Sequence, residues 1–166
     1  GENTFNVTKK IKIAQGNSVE ASYILKNQGG ALLNNYFGTE FNMILPWADD
    51  GRYRYYTSNK RYLGKLDKSG EAGEVDSFGI KDLHRELGLK LTFSKKPTKI
   101  WYFPVMAVSQ SERSYDLNYQ GTCIFPMWDM RFERGVDLSF SINMEMSTNS
   151  IGNRFQTCSG TCPPEV

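Results

Sequence analysis

Residues 136–146 have the sequence VDLSFSINMEM, in which apolar and polar side chains alternate at every position. Because successive side chains of a β-strand project to opposite faces, this period of two predicts a strand with one buried face. The apolar residues of that face include Phe140, Ile142, Met144 and Met146. The same alternation occurs in residues 7–13 and 19–25, and the break at residues 15–17 predicts that these two strands form a hairpin.

Three longer segments extend this pattern along the chain. Residues 31–46 are more continuously apolar, which predicts a central strand buried on both faces. Residues 99–108 are rich in β-branched and aromatic side chains, and Pro104 within them indicates an edge position or a bulge. Residues 116–130 predict a further strand.

The segments between these strands are less regular. Apolar residues within 80–91 also fit one face of a helix, but Gly88 and the alternation from Leu87 to Phe93 favour strands. Residues 64–79 contain four glycines, several charges and few apolar side chains. They predict a mobile surface loop.

Together these segments predict an all-β fold with few or no helices. Roughly ten or more strands, separated by turn signals at short intervals, indicate an antiparallel β-sandwich of two sheets packed face to face. The length of 166 residues fits one domain, which we expect to span residues 1–146. Residues 147–166 are mostly Ser, Thr, Asn, Gly and Pro, and they predict an irregular C-terminal tail or linker.

Composition excludes several classes of function. A net charge of +2 argues against a nucleic-acid partner, and the absence of an apolar run of about 18 residues argues against a membrane span. The single histidine argues against a multi-histidine metal site, so we expect no metal and no cofactor. The composition favours neither a secreted or periplasmic location nor a cytoplasmic one.

The three cysteines leave two interpretations open. Cys158 and Cys162 are separated by three residues, and a zinc site would need further ligands from Cys123 and His84. That combination argues against zinc. A local disulfide between Cys158 and Cys162 and a tail with free thiols both remain open.

Several short motifs follow one another in a specific order. Residues 35–42 have the sequence NYFGTEFN. Later motifs are WYFP at 101–104, VSQSE at 108–112, YQG at 119–121 and PMW at 126–128. This succession resembles the C-terminal β-sandwich of glycoside hydrolase family 57, the α-amylase and 4-α-glucanotransferase group, over about residues 7–146.

The resemblance implies a galactose-mutarotase-like supersandwich. It also implies that a catalytic domain, which would hold the nucleophile and the acid, lies elsewhere in the same full-length chain. No counterpart of that domain occurs in this sequence, so we expect the chain by itself not to be an enzyme. The expected role is a non-catalytic module that binds starch-like or glycogen-like α-glucan.

Aromatic side chains with polar neighbours suggest where a polysaccharide or oligosaccharide would bind. Flat rings stack on the C–H faces of sugars, while carboxylates, amides and guanidinium groups contact hydroxyls. In an extended strand Tyr53 and Tyr55 share one face, and Trp47 follows a proline at a strand end. The candidate carbohydrate-binding residues are Trp47, Tyr53, Tyr55, Arg54, Glu40 and Asn42.

Each of these assignments has a structural alternative. The tyrosines are also compatible with a cover over the sandwich, with their hydroxyls at the rim. Glu40 and Asn42 point the same way from their strand, as in a hydrogen-bond network that Gln110, Glu112 or Gln120 would join. Trp101 and Trp128 lie in apolar strands, and we expect both in the core.

Two other functions have some support. The sandwich would serve as a structural domain that packs against a catalytic domain without binding sugar. A mutarotase-type aldose epimerase would need an acid and a base, with His84 opposite Glu40 or Glu112, but the charged neighbours of His84 predict a solvated turn. Asp49 and Asp50 offer oxygen ligands for Ca²⁺, although two aspartates before a glycine are more typical of a turn.

Overall fold

The computed structural model describes residues 4–13, 16–29, 32–45, 51–59, 62–85, 87–110 and 114–148. These residues form twelve strands and no helix, which confirms the predicted all-β fold. The strands are β1 (Phe5–Ile13), β2 (Ser18–Asn27), β3 (Leu33–Gly38), β4 (Phe41–Met43), β5 (Tyr53–Thr57), β6 (Tyr62–Gly64), β7 (Gly70–Ala72), β8 (Ser77–Asp82), β9 (Leu87–Phe93), β10 (Lys99–Gln110), β11 (Tyr115–Phe132) and β12 (Asp137–Thr148). Nothing in this part of the chain is a helix capable of crossing a membrane.

The strands form two antiparallel sheets. One has seven strands in the order β1-β2-β12-β9-β8-β5-β6, and the other has five, in the order β3-β11-β10-β7 with β4 also paired to β11. The predicted N-terminal hairpin is confirmed, since β1 pairs with β2 from Phe5 opposite Asn27 to Ile13 opposite Val19. The predicted strands at 80–91 are also confirmed, with β8 and β9 joined through a turn.

The apolar segment at 31–46 departs from its prediction. It forms two short strands, both paired to β11, instead of one central strand. Between them the backbone N–H of Thr39 donates to the carbonyl oxygen of Pro126. One side of each strand faces outward, so that Tyr36 and Asn42 are exposed while Phe37 and Phe41 pack against the core.

The predicted loop at 64–79 is also wrong. It contains β7 and the first residues of β8, and it contributes three buried apolar side chains to the core. Leu66 and Phe78 are 0% exposed and Val75 is 5% exposed. Because these apolar residues are far apart in sequence, no period of two is visible there.

The core between the sheets is built on aromatic rings. The ring of Trp128 lies 4.6 Å from that of Phe140 and 6.0 Å from that of Phe93, measured between centroids. Phe140 in turn stacks on Tyr23 at 5.3 Å. Trp128 is fully buried, as predicted, and its indole N–H donates to the carbonyl oxygen of Lys95 at 2.8 Å.

Candidate functional site

The outer surface of the five-stranded sheet carries a row of aromatic side chains. Trp101 lies opposite Phe125, and Phe103 lies opposite Cys123, on the paired strands β10 and β11. Side chains of directly opposite residues project to the same face of a sheet. Ile100, the neighbour of Trp101, is completely buried, so the Trp101 face is the one turned away from the core.

Three rings of this row are accessible from outside. Tyr36 is 58% exposed, Trp101 44% and Phe103 37%. The ammonium group of Lys99 lies 5.9 Å from the ring centroid of Tyr36 and 5.8 Å from that of Trp101, so it joins the two rings. We call the surface formed by Tyr36, Trp101, Phe103 and Phe125 the outer aromatic face.

The central ring of this face is held in position. The indole N–H of Trp101 donates to a carboxylate oxygen of Glu71 at 2.8 Å, and the Trp101 and Phe125 centroids are 6.4 Å apart. Phe125 lies over Gly38, where an added Cβ would come within 2.6 Å of its ring. The glycine therefore leaves room for Phe125 to lie close to the sheet, and the hydrogen bond orients Trp101.

Polar side chains lie on the same surface. Asn42 is opposite Cys123 on β4, and its amide donates to a carboxylate oxygen of Glu40 at 2.6 Å. Both residues line a shallow cavity of about 170 Å³ that Gln120 also borders. The structure thus brings together three of the polar residues that the sequence suggested, at one end of the outer aromatic face.

The thiol of Cys123, which lies near Glu40, is shielded from solvent. Cys123 is 1% exposed, and burial, together with the nearby Glu40 carboxylate, raises its pKa to about 11. The thiolate is the nucleophilic form of cysteine. The thiol therefore stays protonated at neutral pH and is poorly suited to act as a nucleophile.

Two of the predicted stacking residues are not at the surface. Tyr53 is 7% exposed and Tyr55 is 0% exposed, so the prediction that their shared face is available to a sugar is wrong. The two side chains do share a face, but it is the core face of the seven-stranded sheet. Arg54 points the other way, is half-buried and donates to the carbonyl oxygen of Tyr53 at 2.9 Å. Trp47 lies outside the described residues and stays a prediction.

The exposed rings are not among the residues that the sequence predicts for sugar binding. Trp101 was expected in the core, yet it lies on the outer face with Phe103. The available signal was the alternation itself. If Ile100 and Tyr102 face the core of a two-layer sandwich, their neighbours must face outward.

A second polar cluster stabilises the turn between β8 and β9. The Asp82 carboxylate accepts hydrogen bonds from the Arg52 guanidinium at 2.8 Å and from the backbone N–H groups of His84 and Arg85 at 2.9 and 3.0 Å. Desolvation raises the pKa of Asp82, but these hydrogen bonds outweigh it, so the net pKa is below the ordinary value. The carboxylate therefore remains ionised and stabilises the turn by accepting its backbone hydrogen bonds.

This geometry does not favour the epimerase alternative. His84 is exposed, as predicted, in the turn after β8 of the seven-stranded sheet, whereas Glu40 lies between β3 and β4 of the five-stranded sheet. Glu112, the other proposed partner, lies outside the described residues. Within the described ranges no group of three His, Cys, Asp or Glu side chains is arranged to hold a metal ion. Asp49, Asp50 and the two tail cysteines also fall outside these ranges.

The fold and this surface define the class of protein as a two-sheet antiparallel β-sandwich with an exposed aromatic face. The chain belongs to the family described as α-amylase/4-α-glucanotransferase, C-terminal, whose model matches residues 1–142. This confirms the resemblance seen in the sequence. No curated protein matches the chain significantly.

Solved structures share the fold at low sequence identity. The 4-α-glucanotransferase from Thermococcus litoralis is 20% identical, with a TM-score of 0.57, and the match covers 85% of this chain and 18% of that one. The Slr1438 protein from Synechocystis sp. PCC 6803 is 12% identical, with a TM-score of 0.63, over 88% of this chain and 56% of that one. A protein from Escherichia coli K12 that is assigned as an aldose 1-epimerase is 10% identical, with a TM-score of 0.63, over 89% and 62%.

The chain therefore spans less than two thirds of each of these proteins. At such identities the matches establish the sandwich fold and no common chemistry.

Proposed function

We propose that this chain is a non-catalytic accessory domain of an α-glucan-active enzyme and that it binds α-glucan chains on the outer aromatic face. The family membership supports the accessory role. The observation that carries the binding role is the exposed indole of Trp101, fixed by Glu71 in a row with two other accessible rings.

The chemistry of this surface suits a glucan. Apolar ring faces of Tyr36, Trp101 and Phe103 offer stacking surfaces for the C–H faces of glucose units. Glu40 and Asn42 lie at one end of the row, and their amide and carboxylate groups are suited to sugar hydroxyls. An exposed aromatic surface rimmed by polar groups is typical of a binding site.

The expected affinity is modest. A shallow surface buries little of its ligand, so stacking and a few hydrogen bonds give a dissociation constant of roughly micromolar to millimolar. Because the Glu71 hydrogen bond already orients the Trp101 ring, less conformational entropy is lost on binding. Tyr53, Tyr55 and Arg54 have no part in this proposal.

Affinity electrophoresis in gels containing amylopectin or glycogen tests the proposal. We expect the polysaccharide to retard the wild-type chain and Trp101→Ala to lose that retardation. Tyr115→Ala is the matched control, because Tyr115 is a 74% exposed aromatic residue away from the outer aromatic face. Unchanged mobility of the wild type in all gels, or equal loss in both variants, would refute glucan binding at this face.

A further inference from the structure

The paired strands β10 and β11 extend beyond the bulge between Val105 and Met106. Past this point β10 and β11 remain paired, from Met106 opposite Tyr119 to Gln110 opposite Tyr115. We call residues 106–110 and 115–119 the arm. Apart from Tyr119, all of these residues are exposed, and none of the other described strands pairs with this part of β10 or β11.

The arm has one apolar side and one polar side. Val108 lies opposite Leu117, so both side chains project to the same face. Met106 and Tyr115 belong to that face as well, Gln110 lies on it opposite Tyr115, and Tyr119 continues it into the core. We call Met106, Val108, Tyr115 and Leu117 the apolar arm face; they are 42%, 66%, 74% and 67% exposed. The other side is polar, and there Asn118 donates to the hydroxyl of Ser109 at 2.6 Å.

The apolar arm face is therefore the continuation of the core face of the five-stranded sheet, without a second sheet over it in the described part of the chain. Exposing an apolar strand face of this kind to water is unfavourable in free energy, and such faces are typical of interfaces. The edge strand β1 also has exposed apolar residues, but unlike those of the arm they are interspersed with Lys9, Lys10 and Lys12. These charges discourage pairing with another chain. Residues 105–110 and 115–120 contain no lysine or arginine.

We propose that the apolar arm face packs against the catalytic domain of the full-length α-glucan-active enzyme. The match to the glucanotransferase covers only 18% of that protein, so most of such an enzyme lies outside a domain of this kind. An apolar surface on that larger part would supply the missing layer over the arm. The inference deepens the accessory role proposed above and does not depend on glucan binding.

Site-specific photo-crosslinking in the full-length chain tests the contact. A benzophenone amino acid at Val108 should form adducts within one chain, with peptides of the catalytic domain. The matched control places it at Ala107, the adjacent residue on the polar side of the arm. We expect the yield from position 108 to exceed that from position 107 by about tenfold, because only a side chain in contact with the catalytic domain can form the adduct. Equal yields, or adducts only between two copies of the chain, would overturn the proposal.

Hydrogen exchange on the same full-length chain gives an independent readout. Val108→Lys places a charge in the proposed interface, and we expect amide exchange of residues 106–110 to accelerate by about tenfold. Ala107→Lys should leave it unchanged. Unchanged exchange in Val108→Lys, or equal acceleration in both variants, would contradict the interface. Retardation in amylopectin gels should persist in Val108→Lys, which separates this proposal from glucan binding.

Discussion

The polar cluster around Asp82 yields a quantitative prediction for stability. The Asp82 side chain is 3% exposed and that of its partner Arg52 is 12% exposed, so this ion pair is largely shielded from water. Asp82→Ala removes the acceptor for the guanidinium and for two backbone N–H groups of the following turn. Loss of this largely shielded ion pair and of the two hydrogen bonds to the turn costs about 3 kcal/mol.

Thermal unfolding measures this loss. For a domain of this size, 1 kcal/mol corresponds to about 2–4 °C, so the melting temperature of Asp82→Ala should fall by about 6–12 °C. Asp137→Ala is the matched control. It breaks a geometrically similar pair with Lys26, at 2.6 Å, but the two side chains are 48% and 47% exposed. Asp137→Ala should lower the free energy of unfolding by less than about 1 kcal/mol.

The stability difference between the wild type and Asp82→Ala depends on pH through the pKa of Asp82. The pKa is lower in the folded chain than in the unfolded one, so the folded state binds the proton less strongly. The stabilisation by Asp82 is therefore complete above the unfolded carboxyl pKa of about 3.9 and is lost as the pH falls through the folded value. The difference between wild type and Asp82→Ala should be constant from pH 7 to 5 and should narrow below about pH 4. Equal losses in Asp82→Ala and Asp137→Ala, or a difference that does not change down to pH 2, would refute this reasoning.

Three further predictions concern the interior. The Cys123 thiol, with a pKa raised to about 11, should not react with a thiol reagent in the folded chain, and it should react fully in urea when the two tail cysteines are changed to serine; rapid reaction without denaturant would contradict this. Trp128→Ala should lower the free energy of unfolding by about 3–5 kcal/mol in urea titrations, because it opens a cavity between the sheets; a loss below about 1 kcal/mol would not fit. Gly79→Ala should cost about 2 kcal/mol or more in the same assay, because its Cβ would overlap the carbonyl oxygen of Leu89 on the next strand; wild-type stability would show that the strands separate there easily.

Alternation of side chains was sufficient to predict most of the architecture. It correctly identified the N-terminal hairpin, the strands on either side of the turn at residues 83–85 and the long C-terminal strands. It also correctly placed Tyr53 and Tyr55 on one face. A period of two, however, says that the faces differ and does not say which one meets the other sheet.

This ambiguity explains the errors at the candidate site. Tyr53 and Tyr55 were assigned to the surface and lie in the core, whereas Trp101 was assigned to the core and lies outside. Whether an aromatic row faces solvent depends on which side of its sheet the second sheet covers. That is decided by tertiary packing and not by the local sequence. Leu66 and Val75 were missed for a related reason, since they become core residues only when two sheets close over them.

The polar part of the site was more predictable. Glu40 and Asn42 are two residues apart, on either side of the apolar Phe41, and this spacing predicts that they share a face. Their position next to the outer aromatic face follows from the pairing of β4 with β11, which brings Asn42 opposite Cys123. Sequence spacing contains no information about that pairing.

The most direct test of glucan binding at the outer aromatic face is nuclear magnetic resonance of the indole N–H groups during titration with maltoheptaose, an α-glucan oligosaccharide. Trp101→Phe and Trp128→Phe would assign the two signals. We expect the Trp101 signal to shift saturably at micromolar to millimolar ligand, whereas the buried Trp128 signal, bonded to Lys95, should stay in place. A Trp101 signal that does not move at saturating maltoheptaose would contradict the account.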